Sequence, residues 1–132
     1  MAYTTINKSS DYFNTKLYTG NGSSQSITGI GFKPDFTWVK NRDTSAWHTL
    51  VDIVRGVTKT QYSNRADAQG TYSSSINAFN SDGFTVGNSG DVNNNGSNLV
   101  AWNWLAGGSQ GSSNTDGSIN TTYTSAKTTK RY

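Results

Sequence analysis

Short runs in which polar and apolar residues alternate recur along the chain, and clusters of Gly, Asn, Asp and Ser separate them. Alternation with a period of two is typical of half-buried strands, because successive side chains of a strand point to opposite faces. Strands are therefore predicted at residues 12–19, 25–30, 36–41, 48–54, 57–63, 71–79, 84–87 and 99–106. The sequence GNGSS at 20–24 predicts a hairpin turn between the first two strands, since an Asn-Gly pair tolerates the positive φ of such turns.

The segment 31–56 contains two of these strands and is predicted to be the centre of the fold. Pro34 cannot lie inside a central strand, so it marks the start of the strand at 36–41. Phe36 and Trp38 share one face of that strand. The segment also contains two of the four tryptophans, the single histidine and the single proline, so a functional site is expected in or beside it.

The most apolar run, LVAWNWLA at 99–106, predicts a strand in the middle of a sheet, covered on both faces. Trp102 and Trp104 share one face of this strand. Because the chain is poor in aliphatic residues, its core must depend on aromatic rings, which bury a large area each. The two tryptophans are therefore expected to pack inside, as are Phe36 and Trp38.

Composition indicates an all-β fold. Ser, Thr, Asn and Gly make up about half of the chain and Glu is absent, which disfavours helices and favours strands and tight turns. Short strands linked by turns indicate a two-sheet antiparallel β-sandwich of the jelly-roll or concanavalin-like kind. The predicted organisation is an N-terminal arm (1–11), a β-sandwich domain (12–108) and a flexible C-terminal arm or linker (109–132) that is rich in Ser, Thr and Gly.

Charge and cysteine content narrow the functional classes. The net charge is +3 at pH 7 and the body of the chain is nearly neutral, so no nucleic-acid partner is expected. The absence of cysteine excludes disulfides, thiolate metal sites and cysteine nucleophiles. Neither a leader peptide nor an apolar run of membrane-spanning length is recognisable, so the chain is predicted to have no membrane partner and to stay in the cytoplasm unless it leaves as part of a particle or by lysis.

The sequence DVNNNG is the closest match to a metal-binding loop. Its Asp91, Asn93 and Asn95, followed by Gly, match the first half of a calcium loop, in which side-chain oxygens alternate around a sharp turn. The bidentate Glu that completes such a loop is replaced by Trp102. Calcium is therefore the weaker interpretation, a flexible polar loop over 88–98 is the stronger one, and no cofactor is predicted.

A polar segment around Trp47 supplies further candidates for a ligand or interface site. An indole in such a context is suited to stack on a sugar ring or to insert into a partner protein. His48, with Asp43 and Asp52 near it in sequence, offers a general base, although a lone histidine in a strand is more often structural. The motif G-x-S-x-G does not occur and no spacing selects a pair of aspartates, so the chain is not predicted to be an enzyme.

Asp52 and Arg55 are three residues apart in DIVRG and are predicted to form an ion pair at the end of a strand. A structural role, in which the arginine ties a turn to a carboxylate, is favoured. A contact to a neighbouring subunit is the alternative.

Five blocks of the sequence resemble a domain that recurs in virion proteins of marine bacteriophages and cyanophages. They occur in the same order as in that domain: NKSSDYFNTKLYTGNGSSQSITGIGFKPDFTWVKNR (7–42), LVDIVRG (50–56), FNSDGFTVG (79–87), LVAWNWLAGG (99–108) and NTDGSIN (114–120). The resemblance covers nearly the whole chain. It implies a β-sandwich of lectin-like or jelly-roll type, used as a virion surface or fibre module, and it implies no catalytic residues.

The expected function is that of a bacteriophage virion structural protein, either a capsid decoration or cement subunit or a short fibre component, assembled in the host cytoplasm. The arms at 1–11 and 109–132 are predicted to contact other virion proteins of the capsid or tail, and further copies of the chain in a homo-oligomer. The alternative is a carbohydrate-binding, receptor-recognition module of a tail fibre, in which Trp47, His48 and the loop 88–98 face a host surface glycan.

Overall fold

The computed structural model describes residues 8–106, 112–114 and 121–124. These residues form a 3-10 helix at Ser9–Asp11, one short helix, α1 (Gly90–Asn93), and eleven strands. The strands are β1 (Phe13–Thr19), β2 (Gln25–Thr28), β3 (Phe36–Asn41), β4 (Thr49–Asp52), β5 (Lys59–Tyr62), β6 (Gly70–Thr71), β7 (Ile76–Asn80), β8 (Gly83–Val86), β9 (Asn98–Trp104), β10 (Ser112–Asn114) and β11 (Thr121–Thr124). Within the described residues, no helix has the length and apolar character needed to span a membrane.

Six strands form one antiparallel sheet in the order β1-β9-β3-β4-β5-β6. The strand β9 lies between β1 and β3, and the register places Trp104 opposite both Phe13 and Phe36. The predicted central position of this apolar strand is therefore confirmed.

Three strands, in the order β2-β8-β7, form a second antiparallel sheet that packs on the first. Tyr18 of β1 contacts Phe84 of β8 edge-on, with ring centroids 6.2 Å apart. Buried aliphatic and aromatic side chains from both sheets and from the loops between them form one core: Ile27, Ile30, Phe32, Val39, Val51, Ile76, Phe84, Val86, Val92, Leu99 and Ala101. The predicted all-β, two-sheet antiparallel sandwich is confirmed.

The inner face of the large sheet also carries polar side chains. Thr37 and Asn103 are fully buried and lie opposite each other on β3 and β9. Thr37 Oγ1 donates to Asn103 Oδ1 at 2.9 Å, and Asn103 Nδ2 donates to the carbonyl oxygens of Asn14 and Ala101 at 3.1 and 3.2 Å. Because a buried polar group costs free energy unless it is hydrogen-bonded, this network lets polar residues occupy core positions.

The aromatic residues predicted to fill the core lie on the opposite face of the same sheet. On β9, Ala101 is fully buried, whereas Trp102 and Trp104 alternate with it and remain partly exposed. On β3, Phe36 and Trp38 are likewise only half-buried. These four aromatic residues were predicted to lie in the core, and β9 was predicted to be covered on both faces; both predictions were wrong. A strand that is apolar on both faces does not reveal which of its faces is buried.

Residues 20–24 do not form the predicted hairpin. The strand β1 pairs with β9 in the large sheet, while β2 pairs with β8 in the small one, so this turn carries the chain between sheets. Gly22 does adopt the positive φ that the Asn-Gly pair predicts, at 69°. Its N–H, however, donates to Asn93 O at 3.0 Å, which holds the turn against α1.

The segment 88–98 contains the helix α1 and is not the plain polar loop that was predicted. Val92 and Asn93 are fully buried. Asn93 Oδ1 accepts from Asn21 N at 2.9 Å, and Asn93 Nδ2 donates to Gly87 O at 2.8 Å. Polar composition suggested a solvated loop, but the amide of Asn93 is buried because it pairs with the backbone of the β1–β2 turn and of its own segment.

Some element boundaries differ from the prediction. The strand β4 begins at Thr49 and ends at Asp52, so it is shorter than the predicted 48–54. In the predicted N-terminal arm, residues 1–7 lie outside the described residues. In the predicted C-terminal arm, β10 and β11 pair antiparallel, and the remainder of 109–132 lies outside the described residues.

Candidate functional site

One side of the six-stranded sheet faces away from the small sheet and carries a continuous apolar layer, which we call the outer face. It consists of Phe13, Leu17, Phe36, Trp38, Leu50, Val100, Trp102 and Trp104. The strand registers align these side chains in rows across the sheet: Phe13-Trp104-Phe36, then Trp102-Trp38-Leu50 with the polar Thr15 beside Trp102, then Leu17-Val100-Lys40.

Neighbouring rings of the outer face pack against each other at an angle. The Trp104 ring lies 4.9 Å from Phe13 and 5.0 Å from Phe36 between centroids, with interplanar angles of 53° and 35°. Trp38 and Trp102 lie 5.5 Å apart at 55°. Tilted packing of this kind is favourable for aromatic pairs. Few hydrogen-bonding groups lie among these rings, so the outer face suits the apolar surface of another protein better than a saccharide.

The outer face is most exposed along β1. Leu17 is 59% exposed and Phe13 is 38% exposed. With strands about 4.8 Å apart and same-face side chains about 6.6 Å apart, four strands and three rows cover roughly 350 Å², which includes the polar positions of Thr15, Lys40 and Asp52. Apolar patches of a few hundred Å² on soluble proteins are often interaction sites.

Charged groups of opposite sign lie at the two ends of the outer face. Lys40 is at the end of β3 that leads into the next loop, and its Nζ donates to Thr44 O at 2.8 Å. At the other end, Asp52 of β4 lies opposite Phe36 in the register. The Asp52 carboxylate is paired with Arg55, so the Lys40 end is the more positive end of the outer face.

A second aromatic group, which we call the edge cluster, lies beside β5 and β6 and consists of Trp47, Tyr62, Arg65 and Tyr72. The Tyr62 ring lies 4.9 Å from Trp47 and 6.4 Å from Tyr72 between centroids. The Arg65 guanidinium carbon lies 3.9 Å from the centroid of Trp47, a cation-π contact, and Arg65 Nε forms an ion pair with Asp67. Burial, with a smaller effect of the Asp91 carboxylate, raises the pKa of Tyr62 to about 12.

Trp47 is exposed as its polar sequence context predicted, but one face of its ring is covered by Arg65. Trp47 is 39% exposed, and its backbone N donates to Asp91 Oδ1 at 3.0 Å. A sugar that stacked on the covered face would have to displace Arg65. The ligand or interface role of Trp47 stays a prediction.

His48 and Asp52 do not come together, because they flank opposite ends of β4, about 13 Å apart along the strand. His48 N donates to Asn64 Oδ1 at 3.0 Å, and His48 O accepts from Ser63 N at 3.1 Å. Asp43 Oδ2 accepts from the backbone N of Asn98 at 2.7 Å, which ties its loop to the start of β9. These contacts are structural.

The ion pair predicted between Asp52 and Arg55 is confirmed. Arg55 Nε lies 2.5 Å from Asp52 Oδ2, and Arg55 N donates to Asp52 Oδ1 at 2.8 Å. Arg55 Nη1 also donates to Gln69 Oε1 at 3.2 Å. The carboxylate therefore closes the turn after β4, and the arginine links that turn to the segment before β6.

The three calcium candidates do not share one set of free oxygens. Asp91 Oδ1 accepts from Trp47 N, and Asn93 Oδ1 accepts from Asn21 N. Asn95 is exposed. Among the described residues, no group of three or more His and Asp side chains is placed to hold a metal ion.

The fold and these surfaces define an all-β sandwich domain with aromatic groups displayed on one sheet and at its edge. The chain belongs to the family described as Domain of unknown function (DUF7483), whose model matches residues 8–131. No curated protein and no solved structure is significantly similar to the chain.

Proposed function

We propose that this chain is a structural subunit of a bacteriophage virion, a capsid decoration or cement subunit or a short fibre component, and that its outer face binds a second copy of the chain. The virion context rests on the resemblance of the five sequence blocks. The observation that carries the binding role is the outer face, an aromatic layer on the solvent side of a sandwich whose core is already complete.

The arrangement of the aromatic rows suits a second copy as the occupant of the outer face. In a face-to-face pair, the two-fold axis lies in the plane of the interface. With this axis perpendicular to the strands, the middle row of tryptophans packs on the same row of the partner. The Lys40 end of each copy then meets the Asp52–Arg55 ion pair of the other, so the Lys40 ends of the two copies do not face each other.

The size of the outer face sets the strength of this contact. A patch of roughly 350 Å² is about half of the 800 Å² per partner that a standard stable interface buries. Isolated copies should therefore associate reversibly. On a particle, many copies held side by side raise the effective concentration and make the same contact persistent.

The virion role is tested by quantitative mass spectrometry of purified particles of the virus that encodes the chain. A decoration role predicts copies on the order of hundreds, in proportion to the major capsid protein, because shells repeat their subunits by symmetry. A fibre role predicts a few to a few dozen copies. Absence of the chain from washed particles would overturn the proposal.

A further inference from the structure

The strand β1 lies at one edge of the six-stranded sheet. It pairs with β9 on one side, and among the residues that the structure describes no strand pairs with its other side, which we call the β1 edge. We infer that the β1 edge is a contact between copies, in which β1 of one copy pairs antiparallel with β1 of a second copy. The two large sheets then form one continuous sheet. This contact is distinct from the face-to-face contact proposed for the outer face and does not depend on it.

The backbone groups of Phe13, Thr15 and Leu17 point away from β9. Leu105 N donates to Tyr12 O at 2.8 Å, so the even-numbered residues of β1 are the ones that bond to β9. In an antiparallel ladder, the residues between them direct their N–H and C=O groups to the other side. Each of the three residues therefore offers one donor and one acceptor to a further strand.

The other edges of the two sandwich sheets are less suited to accept a strand. At the opposite edge of the large sheet, β6 is only two residues long, and β2 of the small sheet has four. The pairing of β7 has a register shift between Ile76 and Ala78. Short strands and bulges are features that keep sheet edges from pairing. By contrast, β1 has seven residues in unbroken register with β9.

The side chains of β1 select one register for the pair. With Thr15 on the two-fold axis, Phe13 of each copy lies opposite Leu17 of the other. Phe13 is 38% exposed and Leu17 is 59% exposed, so the pairing covers the two apolar side chains that β1 exposes most. Lys16, the charged residue of β1, then lies opposite Asn14. Apolar cross-strand pairs of this kind are stabilising.

Neighbouring registers fit less well. Moving the two-fold axis from Thr15 to Lys16 would place the two lysines opposite each other, and like charges in that position are destabilising. It would also need Thr19 O, which already accepts from Gln25 Nε2 at 3.3 Å. Moving the axis the other way would leave Leu17 beyond the end of the partner strand. The register at Thr15 is therefore self-complementary, which favours a second copy as the occupant of the β1 edge.

Isolated copies should form this contact only weakly. The pairing of residues 13–17 buries much less surface than the roughly 800 Å² per partner of a standard stable interface. Where copies are held side by side, their high effective concentration makes the same contact persistent. A weak contact of this kind is detected best by covalent trapping.

The test is disulfide trapping in single-cysteine variants, because the chain itself contains no cysteine. In Thr15→Cys, the Cα atoms of the two cysteines of a β1 pair lie about 5.5 Å apart, within reach of a disulfide. In the face-to-face contact, the same residues lie on sheets about 10 Å apart, beyond that reach. Under oxidation by copper phenanthroline, Thr15→Cys should form several times more covalent dimer than Thr19→Cys, an exposed control on the same strand.

A mixture of Phe13→Cys and Leu17→Cys chains tests the register and should give more covalent dimer than either variant alone. Leu50→Asp, which places a charge on the outer face at β4, separates the two contacts, because its addition to Thr15→Cys should leave the cross-link unchanged. Three results would each overturn the inference: a Thr15→Cys yield no higher than that of Thr19→Cys, no gain in the mixture, or loss of the cross-link in a Leu50→Asp background that is folded by circular dichroism.

Discussion

Asn93 shows how a single polar side chain holds two connections of this sandwich together, the turn between β1 and β2 and the segment between β8 and β9. It is fully buried beside Val92, and its amide bonds to the backbone of Asn21, Ser23 and Gly87. A buried amide placed among backbone groups in this way is stabilising only while every partner is satisfied.

Replacing Asn93 with Ala should therefore lower the free energy of unfolding by about 2–3 kcal/mol, because several backbone groups lose their partner inside the protein. Asn95→Ala is the matched control, since Asn95 is exposed in the same segment, and its effect should stay within about 0.5 kcal/mol. Urea denaturation monitored by tryptophan fluorescence measures both. Equal effects of the two substitutions would contradict the structural role of Asn93.

The carboxyl group of Asp82 makes the stability of the domain depend on pH. Its carboxylate accepts from the backbone N–H of Gly31 at 2.5 Å and of Gly29 at 2.9 Å, and these hydrogen bonds lower its pKa below the ordinary value of 3.8. Because the folded-state pKa is depressed, this carboxylate contributes stability that is fully present above the ordinary pKa. That contribution is lost as the pH falls through the folded-state value.

In Asp82→Asn, the fall in melting temperature between pH 6 and about pH 3 should be smaller than in the wild type, because the ionised acceptor is no longer present. Asp11→Asn is the control, since Asp11 lies at the surface 3.4 Å from Lys8. Thermal unfolding across this pH range measures the difference. An Asp82→Asn profile that parallels the wild type would show that the two glycine hydrogen bonds do not stabilise the ionised carboxylate.

Among the elements, the turn between β1 and β2 is fixed by its packing on α1. Gly20 has no room for a side chain, since a Cβ there would lie 2.2 Å from Asn94 O. Gly20→Ala should therefore destabilise the domain by about 2–3 kcal/mol, because backbone must shift to accept the methyl group. Gly90→Ala is the control, since the nearest atom to its Cβ is 4.0 Å away. Thermal unfolding of the two variants compares them, and a neutral Gly20→Ala would contradict the close approach.

Strand positions could largely be predicted from alternation, but strand pairing could not. The Asn-Gly pair at Asn21 correctly predicts a turn with positive φ, yet the partners of β1 and β2 lie far away in the sequence, in β9 and β8. No local feature of the sequence determines which distant strand pairs with a given strand. The Asp52–Arg55 pair was predictable because its two members are three residues apart and belong to one turn.

At the scale of the whole molecule, the sandwich places its small residues inside and its largest rings outside. The core consists of aliphatic side chains with Phe32 and Phe84, and it includes the Thr37–Asn103 hydrogen bond, while Trp102 and Trp104 lie on the outer face. Sequence reasoning assigned these tryptophans to the core because large aromatic residues are usually buried. The outer face was missed as a site for the same reason. The edge cluster was only partly foreseen, since the folding of β5 and β6 brings Arg65 to Trp47 and Tyr72 to Tyr62.

Sedimentation velocity of the purified chain over a concentration series tests most directly whether the outer face joins two copies. The wild-type sedimentation coefficient should rise from the monomer toward the dimer value in roughly the micromolar to hundred-micromolar range. Leu17→Asp, which places a charge on the outer face, should remain monomeric. Val54→Asp, at a comparably exposed apolar residue in the turn after β4, should behave as wild type. A wild-type chain that stays monomeric throughout, or a Leu17→Asp variant that associates equally well, would contradict the assignment of the outer face as the contact between copies.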